Sequence, residues 1–483
     1  MQSSIRRVTI YILVVVSLML GACVGDSGTV NKTLTSIRVW TYYNGAQLTA
    51  LQELVDDFNT SVGSEKGIYV ETSNLGSVED LRDAVLDSAA GKVGSDELPN
   101  IVACYADTAL QLDEQELIVD IAPYLTQEEK DRYIQSYLSE GSLGTTGAIK
   151  IFPVGKSTEV LFINKNDIQP FLQANNISYD DFSTIEGLTK TAQLYYEWTD
   201  AKTDEANDGK ALCGRDSLAN YFFIGAKQLG VDIISYQDGE LVFNFDKDVV
   251  RRLWDNYYVP FVKGYFCAQG RFRSDDIKTG SILSLIGSSS SSTFFPASII
   301  DESGDEHFIE MDVLPAPQFE SGEDYAVQQG AGMSVINTND IEVEASIEFL
   351  KWFTAKEQNL SFSISSGYLP VTKEANDINE VRRIEETISK KIEDTIEIAL
   401  SDVNNSHLYS PPAFEGGAQF RDILEACMSD EASHDAQQVK SRLAQGMSFE
   451  EACAPYVTDE RFDRWYDDVH RQLSSIVGQS SIS

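Results

Sequence analysis

Hydrophobic positions along the chain switch repeatedly between two periods. From residue 37, "IRVWTYYNGAQLTALQELVDDFN" opens as a β-rich run and turns at Asn44-Gly45. It then carries apolar residues at Leu48, Leu51, Leu54, Val55 and Phe58, the spacing of an amphipathic helix. "GIYVETSN" reads as a second strand, "VEDLRDAVLDSAAGK" as an amphipathic helix, and "LPNIVACYADTA" as a third strand entering a loop. Strands alternating with helices predict an α/β fold with a mainly parallel, doubly wound sheet. Ligands collect at the carboxyl ends of strands in such sheets, here "TYYNG" and "CYADT".

The middle of the chain repeats the theme. "IFPVGKSTEVLFINK" reads as a crossing segment followed by a strand, and "SILSLIG" as a short apolar strand running straight into the serines of "SSSSSTFF". After "EMDVLPAPQ" and the glycine-punctuated strand "QQGAGMSVIN", a helix from Glu344 to Phe353 is apolar around most of its circumference, which predicts burial. "SGYLPVTKE" reads as a turn and an extended stretch. In "INEVRRIEETISKKIEDTIEIAL", Val381, Ile384, Ile388, Ile392 and Ile396 fall on one stripe. No internal repeat is present.

The N-terminus follows other rules. Arg6 and Arg7 precede the apolar run "VTIYILVVVSLML" and then "GAC", which is the order of an export signal and too short to cross a bilayer. Leu20-Gly21-Ala22-Cys23 resembles a bacterial lipobox. Residues 1–22 are therefore expected to be a lipoprotein signal peptide, Cys23 the lipidated residue, and 23–36 a polar tether on the outer face of the bacterial cell membrane. With 483 residues, 42% of them hydrophobic, the chain exceeds one small core and predicts two lobes.

Without the signal the chain carries 35 basic against 76 acidic residues, a field that repels polyanions and excludes nucleic acid as a partner. Cys104, Cys213, Cys267, Cys427 and Cys453 contain no C-x-x-C pair. They allow two disulfides at most and read mainly as buried free thiols.

A search for catalytic groups comes back empty. His307, His407, His434 and His470 have no metal-ligand spacing, and neither G-x-S-x-G nor G-x-G-x-x-G occurs. "PVGKST" mimics the tail of a phosphate-binding loop, but Lys150 stands where the earlier glycine is required. No catalytic residue, metal or cofactor is expected. Small polar and aromatic residues at strand ends instead suit a polyol, with hydroxyls and amides giving directed hydrogen bonds and aromatic faces covering C–H surfaces.

Taken in order, "VWTYYNG…ALQELVDDFN", "LPNIVACYADTALQLDEQELIVDIAPYL", "FPVGKSTEVLFINKNDI", "ASIEFLKWFTAKEQNLSF" and "SGYLPVTKEA" resemble the extracellular solute-binding proteins of ABC importers, the maltose-binding-like family 1. The resemblance covers most of residues 37 to 450. It implies a type II periplasmic-binding-protein fold of two α/β lobes, with a hinge crossed more than once and a ligand cleft between the lobes. Lobe one would hold 37–152 plus 311–356 and lobe two 158–305 plus 360–475, with "IFPVGKS" and "DVLPAPQ" as crossings. The function implied is capture of a sugar, polyol or glycerol phosphate and its delivery to the transmembrane subunits of an ABC permease, with no enzymatic activity.

Within that family the chain is most similar to the glycerol 3-phosphate-binding branch. The resemblance places Ser157, Ser288, Gly330, Tyr368 and Arg421 where the branch holds its ligand, chiefly the phosphate, and Tyr43 and Asp107 stand at the expected strand ends. Where the branch sets a glutamate against glycerol hydroxyls this chain has Ala106, with Asp107 next. The serine run would form an anion or polyol cradle. The alternatives are a surface lipoprotein enzyme that acts on glycans through two carboxylates and a scaffold lipoprotein with a degenerate cleft.

Overall fold

The computed structural model of the chain describes residues 34–144, 147–300, 304–384 and 388–480. The export signal and Cys23 lie outside the described residues. No described helix is long and apolar enough to cross a membrane.

The principal strands are, in chain order, β1 (Thr35–Thr41), β2 (Ile68–Asn74), β3 (Ile101–Cys104), β4 (Glu159–Asn164), β5 (Cys213–Arg215), β6 (Ser284–Ser288), β7 (Met311–Pro315), β8 (Tyr325–Val327), β9 (Gly332–Val335) and β10 (His407–Tyr409); β8 and β10 pair only with each other, and the other eight build two sheets. The first sheet has the order β9-β3-β1-β2, with β1 parallel to β2 and β3 and with β9 antiparallel at the edge. The second has the order β7-β4-β6-β5. Each sheet has its own core, so the molecule is two-lobed.

The expected mainly parallel pairing holds for the first sheet only. In the second, β4 runs antiparallel to both β6 and β7, and β5 and β6 alone are parallel. The cause is connectivity. β4 begins at the boundary between the lobes, because the chain has just crossed from the first sheet, whereas β5 and β6 end there. β4 is buried along its whole length, as a central strand covered on both faces must be.

Three extended passages lie side by side between the lobes. Phe152 exchanges backbone hydrogen bonds with Met333, Ser157 with Gln329, and Lys156 with Leu369. The buried Asn359 ties the first and third together, donating to the Val154 carbonyl at 2.7 Å and accepting from Val371 N–H at 2.8 Å. "IFPVGKS" is thus a crossing, as expected. "DVLPAPQ" is not: Met311–Pro315 pairs with β4 inside the second sheet, and the chain returns to the first lobe through 327–332. Residues 311–315 therefore belong with lobe two. Phe362, Tyr368 and Val371, expected in lobe two, pack into the first core.

The turn read at Asn44-Gly45 leads from strand into helix: Gly45, at φ +52°, opens the helix Gly45–Thr60 directly. The stripe from Val381 to Ile396 is divided between helices Ile378–Ile384 and Lys390–Asn405. The five cysteines named above are free thiols, and burial pushes Cys104 and Cys213 up to about 11.

Candidate functional site

The passages between the lobes are pinned by one side chain. Lys156, 2% exposed, donates to the Gly330 carbonyl at 2.7 Å and to Glu140 Oε2 at 2.8 Å. The lysine of the apparent phosphate loop is therefore structural. Gly330 has φ +100°, and a Cβ there would meet the Gly155 carbonyl at 3.1 Å, so the close approach of two passages requires glycine.

Beside them lies a buried polar junction. At the start of β4, Glu159 pairs with Arg215, at the end of β5, at 2.6 Å, and their side chains are 9% and 8% exposed. Asn220 Nδ2 donates to Glu159 Oε1 at 3.0 Å and to Gln329 Oε1 at 2.7 Å, while its Oδ1 accepts from Arg421 Nη2 at 2.7 Å. Arg421 thus reaches the Ser157 passage through Asn220 and Gln329. Glu425, one turn further along the helix Gly417–Ala444, accepts from Ser217 Oγ and from the N–H groups of Leu218 and Ala219. It occupies the N-terminus of the helix Leu218–Gln228, where an anion would otherwise sit.

Facing this junction from the first lobe are four tyrosines. Tyr42 stacks with Tyr105 at 6.4 Å and meets Tyr43 edge-on at 5.2 Å, and Tyr43 lies 5.8 Å from Tyr368. Burial raises the hydroxyls of Tyr42, Tyr105 and Tyr368 well above the ordinary phenol value. Asp107 packs against the bare Cα of Gly417, where a Cβ would stand 2.4 Å from its Oδ1. Burial raises Asp107 to about 6, against the pull of Arg421. Across the same boundary Arg82 meets Asp422 at 3.6 Å.

The serine run ends β6 and continues as a 3-10 turn over Ser289–Phe294. Ser288 Oγ accepts from Ser290 N–H at 3.3 Å and shares a hydrogen bond with Ser290 Oγ. Ser289 and Ser292 are fully buried, and their hydroxyls, like that of Thr158, find no partner among the described residues. The seven residues expected from the sequence fall in two groups. Asp107 lies beside Arg421, which reaches Ser157 through Asn220 and Gln329 with Gly330 next along that passage; Tyr43 lies beside Tyr368, which meets Ser290 in the turn that Ser288 opens.

An open cleft of about 760 Å³ lies at the boundary, and none of the seven lines it. Its walls come from both lobes: Ala106, Ser136, Ser139, Glu140 and Ser142 from the first, Tyr236 and the 408–413 segment from the second, with Gln328 of the second passage between them. Tyr236 is half exposed. The hydroxyl-rich wall is therefore that of "SYLSEGS" rather than the serine run. The 3.6-residue spacing of Ser136, Ser139 and Glu140 on a short helix was the available signal.

Among the described residues no group of three His, Cys, Asp or Glu side chains could hold a metal ion. His307 is engaged with Asp167 at 2.9 Å on the surface. Directed acceptors, hydroxyls and aromatic faces between two hinged lobes can hold a small polar molecule.

Residues 53–390 match a family model described as bacterial extracellular solute-binding protein. No curated protein matches the chain significantly. Among solved structures, the chain is similar to a cyclic α-maltosyl-1,6-maltose binding protein from Arthrobacter globiformis, at 17% identity over 92% of this chain and 100% of that one, with a TM-score of 0.62. UgpB from Mycobacterium tuberculosis, in complex with glycerophosphocholine, aligns at 15% identity over 92% and 98%, with a TM-score of 0.65. Maltose-bound MalE3 of T. maritima aligns at 14% over 91% and 100%, with a TM-score of 0.60. Identities this low establish likeness of fold.

Proposed function

The chain belongs to the bacterial extracellular solute-binding protein family, and on that premise we propose that it is the lipid-anchored receptor of an ABC importer for a neutral, carbohydrate-type solute. The family is one of binding proteins, which sets aside the glycan-acting enzyme. Export agrees with the N-terminal signal. Diacylglycerol on Cys23 would hold the receptor at the outer face of the cell membrane beside the permease subunits, and Cys23→Ser should release it into the medium.

The observation that carries the neutral solute is the pairing of cations around the boundary. Arg215 is held by Glu159, Lys156 by Glu140, and Arg421 by Asn220 with Asp107 beside it, while Glu425 fills the nearby helix N-terminus. A phosphate arriving there meets Arg215 and Lys156 already neutralised by carboxylates, leaving only Arg421, whose guanidinium is bonded to the neutral Asn220 amide, and the cleft itself carries the carboxylate of Glu140. Hydroxyls, by contrast, find acceptors and aromatic surface. Solute bonded to both lobes favours the state in which they touch, and this difference in shape is what a permease can read.

The glycerol-phosphate reading retains Arg421 and Ser288 as its support, and one neighbour of this fold was solved with glycerophosphocholine. Calorimetric titration against neutral maltose-type sugars, glycerol 3-phosphate and glycerophosphocholine separates the two. Binding of a neutral sugar is the expected result; tight binding of the phosphates alone would overturn it. A solute at one hundred times its Kd should add about 2.7 kcal/mol to unfolding stability.

A further inference from the structure

We infer that Glu140 is a ligand-accepting carboxylate of the cleft and that Lys156 positions it; this rests on reading the cleft as the solute site. Glu140 closes the short helix Gln135–Glu140 and lines the opening, with its side chain 15% exposed. Both of its recorded partners, Lys156 Nζ and Gln328 Nε2, donate to the same oxygen, Oε2. Oε1 has no hydrogen-bond partner among the described residues, so it is the acceptor the residue offers to the cleft.

An ion pair that served packing alone would be sealed on both sides, as Arg215 and Glu159 are with 8% and 9% exposure. A buried ion pair contributes little net stability, since desolvation offsets attraction, and what it does fix is position. Here Lys156 is anchored at both ends. Its backbone pairs with Leu369 of the third passage and its ammonium holds the Gly330 carbonyl of the second, so the carboxylate is set relative to the hinge itself. The ligand group recognised is a hydroxyl, which donates to Oε1. A phosphate or carboxylate is repelled at this point.

The test uses the full-length protein and maltose, maltotriose and mannotriose as probes in titration calorimetry, with melting followed in parallel. Glu140→Gln, which keeps shape and removes charge, should weaken the best-binding sugar at least tenfold with little change in melting. Lys156→Met should weaken it comparably. The double variant should recover the melting temperature lost by Lys156→Met, while binding no more weakly than Glu140→Gln alone, because Lys156 acts through Glu140. Unchanged sugar affinity in Glu140→Gln overturns the inference and leaves the proposed function standing. Additive losses in the double variant overturn the positioning role of Lys156. If none of the three sugars binds the unaltered protein, the carbohydrate reading fails and this inference with it.

Discussion

Replacing Arg215 by Met separates a buried ion pair from the merely decorative kind. The substitution keeps most of the side-chain volume but leaves the Glu159 carboxylate, 9% exposed, with only the Asn220 amide at 3.0 Å. Removing one member of such a pair costs about 3–5 kcal/mol, because a desolvated charge is left without its counter-charge. Loss of the contact between Arg215 and the Tyr221 ring, 4.9 Å away, adds about 0.5–1 kcal/mol. The double variant Arg215→Met/Glu159→Leu removes both charges, so it should recover most of that loss and give a coupling of roughly 2 kcal/mol or more. Urea unfolding of the wild type, the two single variants and the double variant measures all four corners. A cost for Arg215→Met no larger than that of an exposed pair, about 1 kcal/mol, would refute the reasoning, as would simple additivity.

Other outcomes follow from neighbouring features. Burial and the charge of Asp324 push Asp402 up to about 7. A raised folded value favours the protonated form, so this contribution is present below the ordinary carboxylate range and is lost as pH rises toward 7. Asp402→Asn should therefore raise the denaturation midpoint at pH 8 and leave it unchanged at pH 3, and equal effects at both would contradict this. Gly330→Ala, at φ +100° and against the Gly155 carbonyl, should cost about 1–3 kcal/mol and weaken solute binding; a neutral result by thermal melting and titration would show the passages to be pliable. Arg82→Ala removes an exposed contact between lobes, so it should cost less than about 1 kcal/mol of stability but make solute affinity less salt-dependent. The exchange Arg82→Asp/Asp422→Arg should restore the salt dependence.

Local periodicity carried most of the architecture. β1, β2 and β3 with the helices between them were legible because each signal is complete within about twenty residues. The second sheet was less so: "MDVLP" is a short apolar strand before prolines whether it crosses between lobes or pairs at an edge, and only β4, some 150 residues earlier, decides. The seven expected site residues fall in two groups at the boundary, and none of them lines the open cleft. Ser136, Ser139 and Glu140 look like the exposed side of any short helix, and that another lobe faces them is a tertiary fact. Glu159 left a trace that could have been followed. A carboxylate opening an otherwise apolar strand is costly unless a cation meets it, and Arg215 is the cation that does.

The three passages that meet at Lys156 also set the order of events at birth. They draw on residues 152–157, 329–333 and 369–371, so a chain emerging from its N-terminus lacks a hinge, and lacks the edge strand of its first sheet, until late in synthesis. Contacts between such distant stretches form slowly, because long loops must close first. In a member of an extracellular family, the two lobes therefore cannot close on each other until most of the chain has been made.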